Sequence, residues 1–238
     1  MIVFGYGIPK SGSTLAFQIL RAVAVLGGSP QWRLPAPLST PGHRVNFHQS
    51  LDAALLREAA ARARGRILIV KTHDAPRRDW VEAYRDLAAR GEAAAVVCHR
   101  DPRDICLALL DAGRLARESG DAAFAEYATL PETAARVRRY LAELECWRGL
   151  PRVLDLRYEA CAFRMDEAIA AVKAHLGVRC PNWPVRLYAG HIAFTHRNKA
   201  MPERHLAELT PEQCAPLDAA FAPYLDAMGY RRVSPAGP

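Results

Sequence analysis

The chain has 238 residues, half of them hydrophobic, and its 32 Lys and Arg residues outnumber its 25 Asp and Glu residues to give a formal net charge of +7. This balance is typical of a folded globular domain and excludes a disordered or low-complexity chain. The positive surplus attracts polyanions such as a nucleotide, an acidic glycan or a nucleic acid, although a surplus of this kind more often serves solubility alone.

Four short, almost continuous apolar runs predict buried parallel strands, because strands covered on both faces lack polar alternation. Helical patterns separate these runs. The sequence therefore predicts an α/β fold, with one domain over residues 1–233, a central, mostly parallel sheet flanked by helices on both faces, and a frayed tail at 234–238. The predicted strands are Ile2–Phe4, Ile67–Val70, Ala93–Cys98 and Val153–Leu156.

The predicted helices have recognisable starts and stops. The first carries an apolar stripe from Leu15 to Leu26 and ends at Gly27-Gly28. A later helix begins with Asp101 as its N-cap and Pro102 at its first helical position, and the last begins with a capping box at Thr210. Further helices are predicted at 51–64, 77–90, 133–149 and 163–176.

Two proline-containing stretches, residues 28–50 and 178–209, are predicted to be mostly irregular. Loops of this length in a compact domain usually bind a ligand or move, so we expect them to contact substrate or cofactor. The first of them also carries Trp32 and Phe47 beside several basic residues. It is therefore the expected place for a substrate pocket.

The stretch from Gly7 to Leu15 follows the first strand and opens the first helix. A Gly/Ser turn with one lysine at a helix N-terminus makes an anion cradle, because backbone N–H groups, the helix dipole and Lys10 all contribute positive charge. The nucleotide-binding pattern G-x-x-x-x-G-K-[ST] does not match, since Lys10 precedes Gly12 instead of following it.

Charged and polar residues also follow the other three predicted strands: Lys71-Thr72-His73, His99-Arg100 and Tyr158-Glu159. In parallel sheets, ligands bind outside the carboxyl ends of the strands. Each residue alone has an ordinary structural explanation, such as a polar residue at a strand end or a core tyrosine. Together they predict a site for a multiply phosphorylated or sulfated ligand with a proton acceptor beside it.

These segments resemble the landmarks of the sulfotransferase family in order and spacing. The run from Pro9 to Thr14 is similar to the family's 5′-phosphosulfate loop, P-K-S-G-[ST]-[ST], and Lys71-Thr72-His73 is similar to its lysine–threonine/serine–histidine triplet. The run from Cys98 to Asp104 resembles its 3′-phosphate segment, and Tyr158-Glu159 its tyrosine–glutamate pair. The resemblance implies a sheet like that of the P-loop NTPases.

The resemblance also implies a reaction. The donor is 3′-phosphoadenosine 5′-phosphosulfate (PAPS), the product is 3′-phosphoadenosine 5′-phosphate (PAP), and a sulfuryl group passes to an acceptor hydroxyl or amine without a metal. His73 is implied as the general base, Lys10 as the partner of the leaving phosphate oxygen and Lys71 as a contact of the transferring group. The implied nucleotide-binding residues are Lys10, Ser11, Gly12, Ser13, Thr14, Arg100, Tyr158, Arg197 and Lys199.

The chain departs from the family pattern at two places. The family has a serine eight residues after its 3′-phosphate arginine, and here Ala108 stands there. The missing phosphate hydrogen bond is expected from Arg103 or from the basic run at 196–199. The last basic motif lacks the family's glycines and tryptophan, and only its spacing from Thr210 assigns Arg197 and Lys199 to it.

Two other classes of protein stay open on the residues alone. One is a P-loop kinase for a nucleotide or small molecule, although Asp101, the only candidate Mg²⁺ ligand after a strand, is better explained as a helix cap. The other is a non-catalytic anion- or nucleotide-binding module. We expect a small-molecule or glycan acceptor and no nucleic acid, because aromatic residues do not alternate with the basic ones. The sequence indicates no oligomeric state.

Other patterns place the chain in a reducing, aqueous compartment. The six cysteines form no C-x-x-C pair and no basic leader precedes the first strand, so a cytoplasmic protein is expected. No apolar segment approaches the ~18 residues needed to span a bilayer. The histidines lack the spacing of zinc ligands, so no metal site is predicted.

Overall fold

The computed structural model describes residues 1–63, 65–193 and 201–231. The chain divides into two compact units. The first contains Met1–Ile8, Gly12–His99 and the described residues from Glu143 to 193. The second contains Pro9–Ser11, Arg100–Ala142 and the described residues from 201 onward.

The first unit is built on a five-stranded parallel sheet with the strand order β2-β3-β1-β4-β5. The predicted α/β fold with a central parallel sheet is confirmed, and all four predicted strands are present. Three of them extend into the polar residues that follow their apolar runs, because ladder hydrogen bonds continue past the buried stretch. The strands are β1 (Ile2–Gly7), β2 (Phe47–His48), β3 (Leu68–Thr72), β4 (Ala93–His99) and β5 (Val153–Arg157).

Ten α-helices are described. Those with residues in the first unit are α1 (Ser13–Leu26), α2 (Ala53–Arg62), α3 (Arg78–Ala89), the last turns of α5 (Leu130–Arg148), α6 (Tyr158–Phe163), α7 (Met165–Leu176) and α8 (Asn182–Leu187), which a π-helical turn at Tyr188–Ile192 follows. The second unit holds α4 (Pro102–Ser119), the earlier part of α5, α9 (Arg204–Glu208) and α10 (Pro211–Met228). No helix in these described ranges is long and apolar enough to cross a membrane.

The two faces of the sheet pack against different layers of the first unit. Val3 and Ile69 face the α1 and α7 side, where they join the main apolar cluster. Phe4 points to the opposite face and makes edge-on contact with Trp80 of α3, at 5.1 Å between ring centroids. Alternation along β1 therefore gives each face its own core, as a sheet covered on both sides requires.

The prediction of mostly irregular backbone is confirmed for 28–50, where the one regular element is β2, a two-residue edge strand paired with β3. It was wrong for the described part of 178–209, which contains α8, the π-helical turn and α9. Elements of two to six residues are shorter than one amphipathic repeat, so tertiary contacts rather than sequence periodicity specify them. The short helix α6 also precedes the predicted helix at 163–176 and starts at Tyr158 itself.

The predicted helix ends are confirmed where capping residues marked them. The Asp101 side chain accepts the backbone N–H of Arg103 at the start of α4, with Pro102 in the first turn. Thr210 and Gln213 form the reciprocal capping box of α10. The predicted tail at 234–238 lies outside the described residues.

Candidate functional site

The loop between β1 and α1 presents an uncompensated helix N-terminus. Lys10 and Gly12 both have positive φ, at 67° and 84°, and Gly12 is the N-cap of α1. The cap receives no side-chain hydrogen bond, and the first turn of α1 has no acidic residue. The positive end of the helix dipole is therefore not neutralised by a carboxylate of its own first turn, which suits a bound anion.

Gly12 and Tyr158, two of the predicted nucleotide-binding residues, are in contact. A Cβ atom added at Gly12 would lie 2.3 Å from Cδ2 of Tyr158. Tyr158 is buried, starts α6 directly after β5, and packs edge-on against Phe163. The tyrosine ring therefore lies against the backbone of the anion loop, and only glycine allows this approach.

If the loop binds the PAP that the sequence motifs imply, Gly12→Ala is expected to weaken that binding by about tenfold or more, because the new methyl group must displace Tyr158 or open the loop. The left-handed backbone at position 12 also costs an alanine about 1–2 kcal/mol of folding stability. Gly28→Ala is the matched control, since Gly28 has φ 88° but open space around the added Cβ. Calorimetric titration of both variants with PAP tests this. Equal PAP affinity in the two variants would show that the Tyr158 contact is irrelevant.

Lys71 and Thr14, two further predicted site residues, are hydrogen-bonded. Lys71 Nζ donates to Thr14 Oγ1 at 3.2 Å and lies 6.0 Å from the centroid of the Phe17 ring. Burial lowers the pKa of this lysine below its usual value. A partly desolvated ammonium therefore lies at the first turn of α1.

His73 follows β3 and is held by the end of β1. Its Nδ1 lies 2.8 Å from the carbonyl oxygen of Gly7, which can only accept, so Nδ1 carries the proton and Nε2 is the basic nitrogen. Burial, then the charge of Lys71, lowers the pKa of His73 to about 4, although the Gly7 hydrogen bond opposes this. The ring is therefore neutral near physiological pH and can accept a proton at Nε2.

Aromatic packing fixes the surroundings of His73. The Phe47 ring lies 5.8 Å from the His73 ring, and His43 stacks on Phe47 at 4.2 Å between centroids. Phe47 reaches this position because β2 pairs it with Lys71. The short strand that sequence patterns did not predict is thus the element that brings Phe47 to His73.

The second unit holds the other loop residues, Lys10 and Ser11. Lys10 Nζ lies 4.6 Å above the ring of Phe124, which itself has a positive φ of 73°. Burial lowers the pKa of Lys10 below its usual value. Ser11 is fully buried. The sequence offered no signal for Phe124, because its contact with Lys10 depends on an irregular turn.

Arg100 lies in a buried charge cluster of the second unit. Its Nη2 donates to Asp104 Oδ2 at 3.1 Å and to the carbonyl of Met201 at 3.2 Å. His205 donates its backbone N–H to Asp104 and places Nδ1 2.8 Å from the same carboxylate. Burial favours the neutral form of Asp104, but the His205 hydrogen bonds and the Arg100 charge outweigh it, so its pKa falls below the usual value.

The expectation that Arg103 replaces the missing phosphate hydrogen bond was wrong. Its side chain is 1% exposed and donates to both Asp101 oxygens, to Asp218 and to the carbonyl of Arg231. These carboxylates and the backbone oxygen engage all three guanidinium nitrogens, so Arg103 is structural. Ala108 is buried in α4. The predicted residues Arg197 and Lys199 lie outside the described residues.

No cluster of three or more His, Cys, Asp or Glu side chains suited to a metal occurs in residues 1–63, 65–193 and 201–231.

In sequence comparisons, no protein-family model matches the chain and no curated protein matches it. Comparison of the structure gives a different result. The mouse sulfotransferase SULT7A1 complexed with PAP matches with a TM-score of 0.61 at 13% identity, over 94% of this chain and 84% of that chain. The chain has the sulfotransferase fold.

Retinol dehydratase in a complex with retinol and PAP matches with a TM-score of 0.53 at 12% identity, over 94% of this chain and 81% of that chain. The resemblance expected from the sequence motifs is therefore confirmed as a likeness of fold. At such low identity the sulfotransferase fold carries no residue assignments, since folds host many functions and the site must be argued from its own residues.

Proposed function

We propose that this protein transfers a sulfuryl group from PAPS to a hydroxyl or amine of an acceptor and releases PAP. The single observation that carries the proposal is the state of His73. Its Nδ1 is tied to Gly7 and its ring is neutral, so Nε2 is the unprotonated nitrogen, beside Lys71 and the anion loop of a sulfotransferase fold. A kinase or a simple anion-binding module would not require this histidine.

The residues of the β1–α1 loop fit an anionic donor. The α1 N-terminus lacks an acidic residue, Gly12 has no side chain that would fill the loop, and Lys10 and Lys71 supply positive charge. We assign the sulfate-bearing 5′ end of the donor to the described residues Lys10, Ser11, Gly12, Ser13 and Thr14. In the same proposal Arg100 binds the 3′-phosphate, Tyr158 packs near the adenine, and Arg197 and Lys199 cover the 3′-phosphate.

The chemistry then requires little covalent work from the protein. PAPS supplies an activated sulfuryl group whose leaving group is a phosphate anion. Nε2 of His73 accepts the proton of the acceptor hydroxyl or amine, and Gly7 keeps the imidazole in the tautomer that does so. Lys71 stabilises negative charge on the transferring group, while Lys10 stabilises charge on the leaving phosphate oxygen.

The acceptor, a small molecule or a glycan, is assigned to the surroundings of Phe47 and Trp32. The contact between Phe47 and His73 supports this assignment, because an acceptor on the proton-accepting side of His73 would lie near that ring. The cytoplasmic location expected from the cysteines stays part of the proposal.

The pH dependence of kcat/KM tests the role of His73. We expect kcat/KM to be constant above about pH 5 and to fall as pH decreases through about 4, because protonated imidazole cannot accept a proton. The unfolded state binds more protons than the folded state between this pKa and 6.5, so stability also falls with decreasing pH in that window. Circular dichroism at each pH separates the two effects. An acidic limb near 6.5 would contradict the lowered pKa of His73, and a kcat/KM that does not fall at low pH while the fold is intact would contradict its role as the base.

Nucleotide binding tests the proposal as a whole. We expect calorimetry in EDTA to show PAP binding about tenfold to hundredfold more tightly than ADP, because one charge-assisted phosphate contact contributes about 1.5–3 kcal/mol. ATP with Mg²⁺ is the comparison ligand for a kinase. Equal affinity for PAP and ADP, or binding that requires Mg²⁺, would contradict the sulfotransferase function.

A further inference from the structure

A cavity of about 120 Å³ opens on the α1 side of the sheet in the first unit. Three arginines from three different segments line it: Arg21 of α1, and Arg33 and Arg44 from the stretch before β2. Trp32 lies beside them on the same wall. We call this cavity the arginine groove, defined by Arg21, Arg33, Arg44 and Trp32.

The described residues that line the arginine groove include no acidic side chain that would neutralise its positive charge. Arg33 and Arg44 are exposed, and Arg21 donates to the hydroxyl of Tyr188, at 3.3 Å. A neighbouring cavity of about 420 Å³ shares Trp32 and Arg33 and adds Arg66, so the positive surface continues beyond the groove, while Arg62 on the same wall pairs with Glu58.

Three other surface arginines of this chain are arranged differently. Arg62, Arg78 and Arg114 each pair with a glutamate four residues away on their own helix. The three arginines of the groove come instead from separate segments and converge on a cavity with no carboxylate among the described residues that line it. Guanidinium groups bind carboxylate and sulfate through a planar fork of donors, which makes such a set suited to an organic anion.

The position of the arginine groove relates it to His73. Ile69 lines the groove, Lys71 lies on the same face of β3, and His73 directly follows that strand. Four residues of extended chain span about 13 Å, so the groove lies roughly that far from the base. Phe17 also lines the groove, and the centroid of its ring is 6.0 Å from Lys71 Nζ.

We propose that the arginine groove binds a negatively charged group, a carboxylate or a sulfate, of the acceptor. The inference rests on the proposed function, because it places the reacting hydroxyl at His73 and the anionic group about 13 Å away. Trp32 supplies a flat apolar surface for the body of such an acceptor. The preferred acceptor is therefore an elongated organic anion instead of a neutral phenol or alcohol.

Three rigid probes test this inference: 4′-hydroxybiphenyl-4-carboxylate, the corresponding sulfonate, and the neutral carboxamide. Calorimetric titration of the wild-type protein, with and without PAP, is expected to show at least one anionic probe binding about tenfold more tightly than the carboxamide, as a charge-assisted contact requires. The probe with the larger advantage shows whether the groove prefers carboxylate or sulfate. A wild-type protein that does not prefer either anion over the carboxamide overturns the inference.

The variant Arg33→Gln/Arg44→Gln is expected to lose the preference for the anionic probes while it binds the carboxamide and PAP as before. The matched control Arg78→Gln/Arg114→Gln removes the same net charge from exposed helix positions and should keep the preference. If the two double variants lose the preference for the anionic probes equally, the inference is overturned, because the net charge of the protein would then explain that preference. Failure of PAP to bind contradicts the proposed function separately, because the titrations without PAP still measure the groove.

Discussion

Replacing His73 with alanine is expected to lower kcat by about 10²–10⁴-fold while PAP affinity stays near the wild-type value. The base acts on the acceptor in the transition state, so its removal lowers kcat more than it raises KM. The side chain also makes one hydrogen bond to Gly7, whose loss costs about 1 kcal/mol of stability. Single-turnover rates, PAP calorimetry and a thermal melt on the same preparation separate these quantities.

His43→Ala is the matched control for His73→Ala. His43 stacks on the same Phe47 ring but is not tied to Gly7. We expect the His43 variant to keep most of the activity. A His73 variant that turns over at the wild-type rate with an intact fold would move the general base to another residue, and a kcat loss matched by an equal loss of PAP affinity would make His73 a binding residue.

Replacing Arg103 with methionine is expected to lower the free energy of unfolding by about 3–5 kcal/mol, because two buried carboxylates lose their common partner. Asp101 and Asp218 both pair with Arg103 at 2.6 Å, and all three side chains are largely buried. The two carboxylates raise the pKa of the Arg103 guanidinium above its usual value and more than offset its burial. Urea unfolding monitored by circular dichroism measures the change.

The exposed arginine Arg114 provides the control for Arg103. It pairs with Glu118 on the surface of α4, with more than half of each side chain exposed, so Arg114→Gln is expected to change stability by less than about 1 kcal/mol. If Arg103→Met were no more destabilising than Arg114→Gln, the buried ion pairs of Arg103 would make no net contribution to the free energy of unfolding. PAP binding by the folded Arg103 variant should be retained, since its guanidinium serves the fold.

The sequence was most informative where one local signal decides the outcome. Continuous apolar runs predicted β1, β3, β4 and β5, and the capping residues Asp101 and Thr210 predicted the starts of α4 and α10. Glycine between strand and helix predicted the anion loop. These features depend on a few neighbouring residues, whose preferences the fold does not override.

The sequence was least informative where partners come from distant parts of the chain. The sequence predicted Arg103 as a possible phosphate ligand, yet Asp218, far along the chain, pairs with it and it is one of the most buried side chains. His205 and Asp104 are likewise separated by about a hundred residues. No short motif encodes such pairs, because burial decides their roles and burial depends on the whole fold.

The central position of β1 has a consequence for how the chain acquires its structure. Ile2 pairs with Leu68 on one side and with Ala93 on the other, so both neighbours of the central strand are synthesised long after it. Pairings over such separations slow folding, and an unpaired apolar edge invites association with other chains. Fragments that stop before residue 93 are therefore expected to sediment as aggregates on ultracentrifugation, whereas the full chain closes both edges of β1.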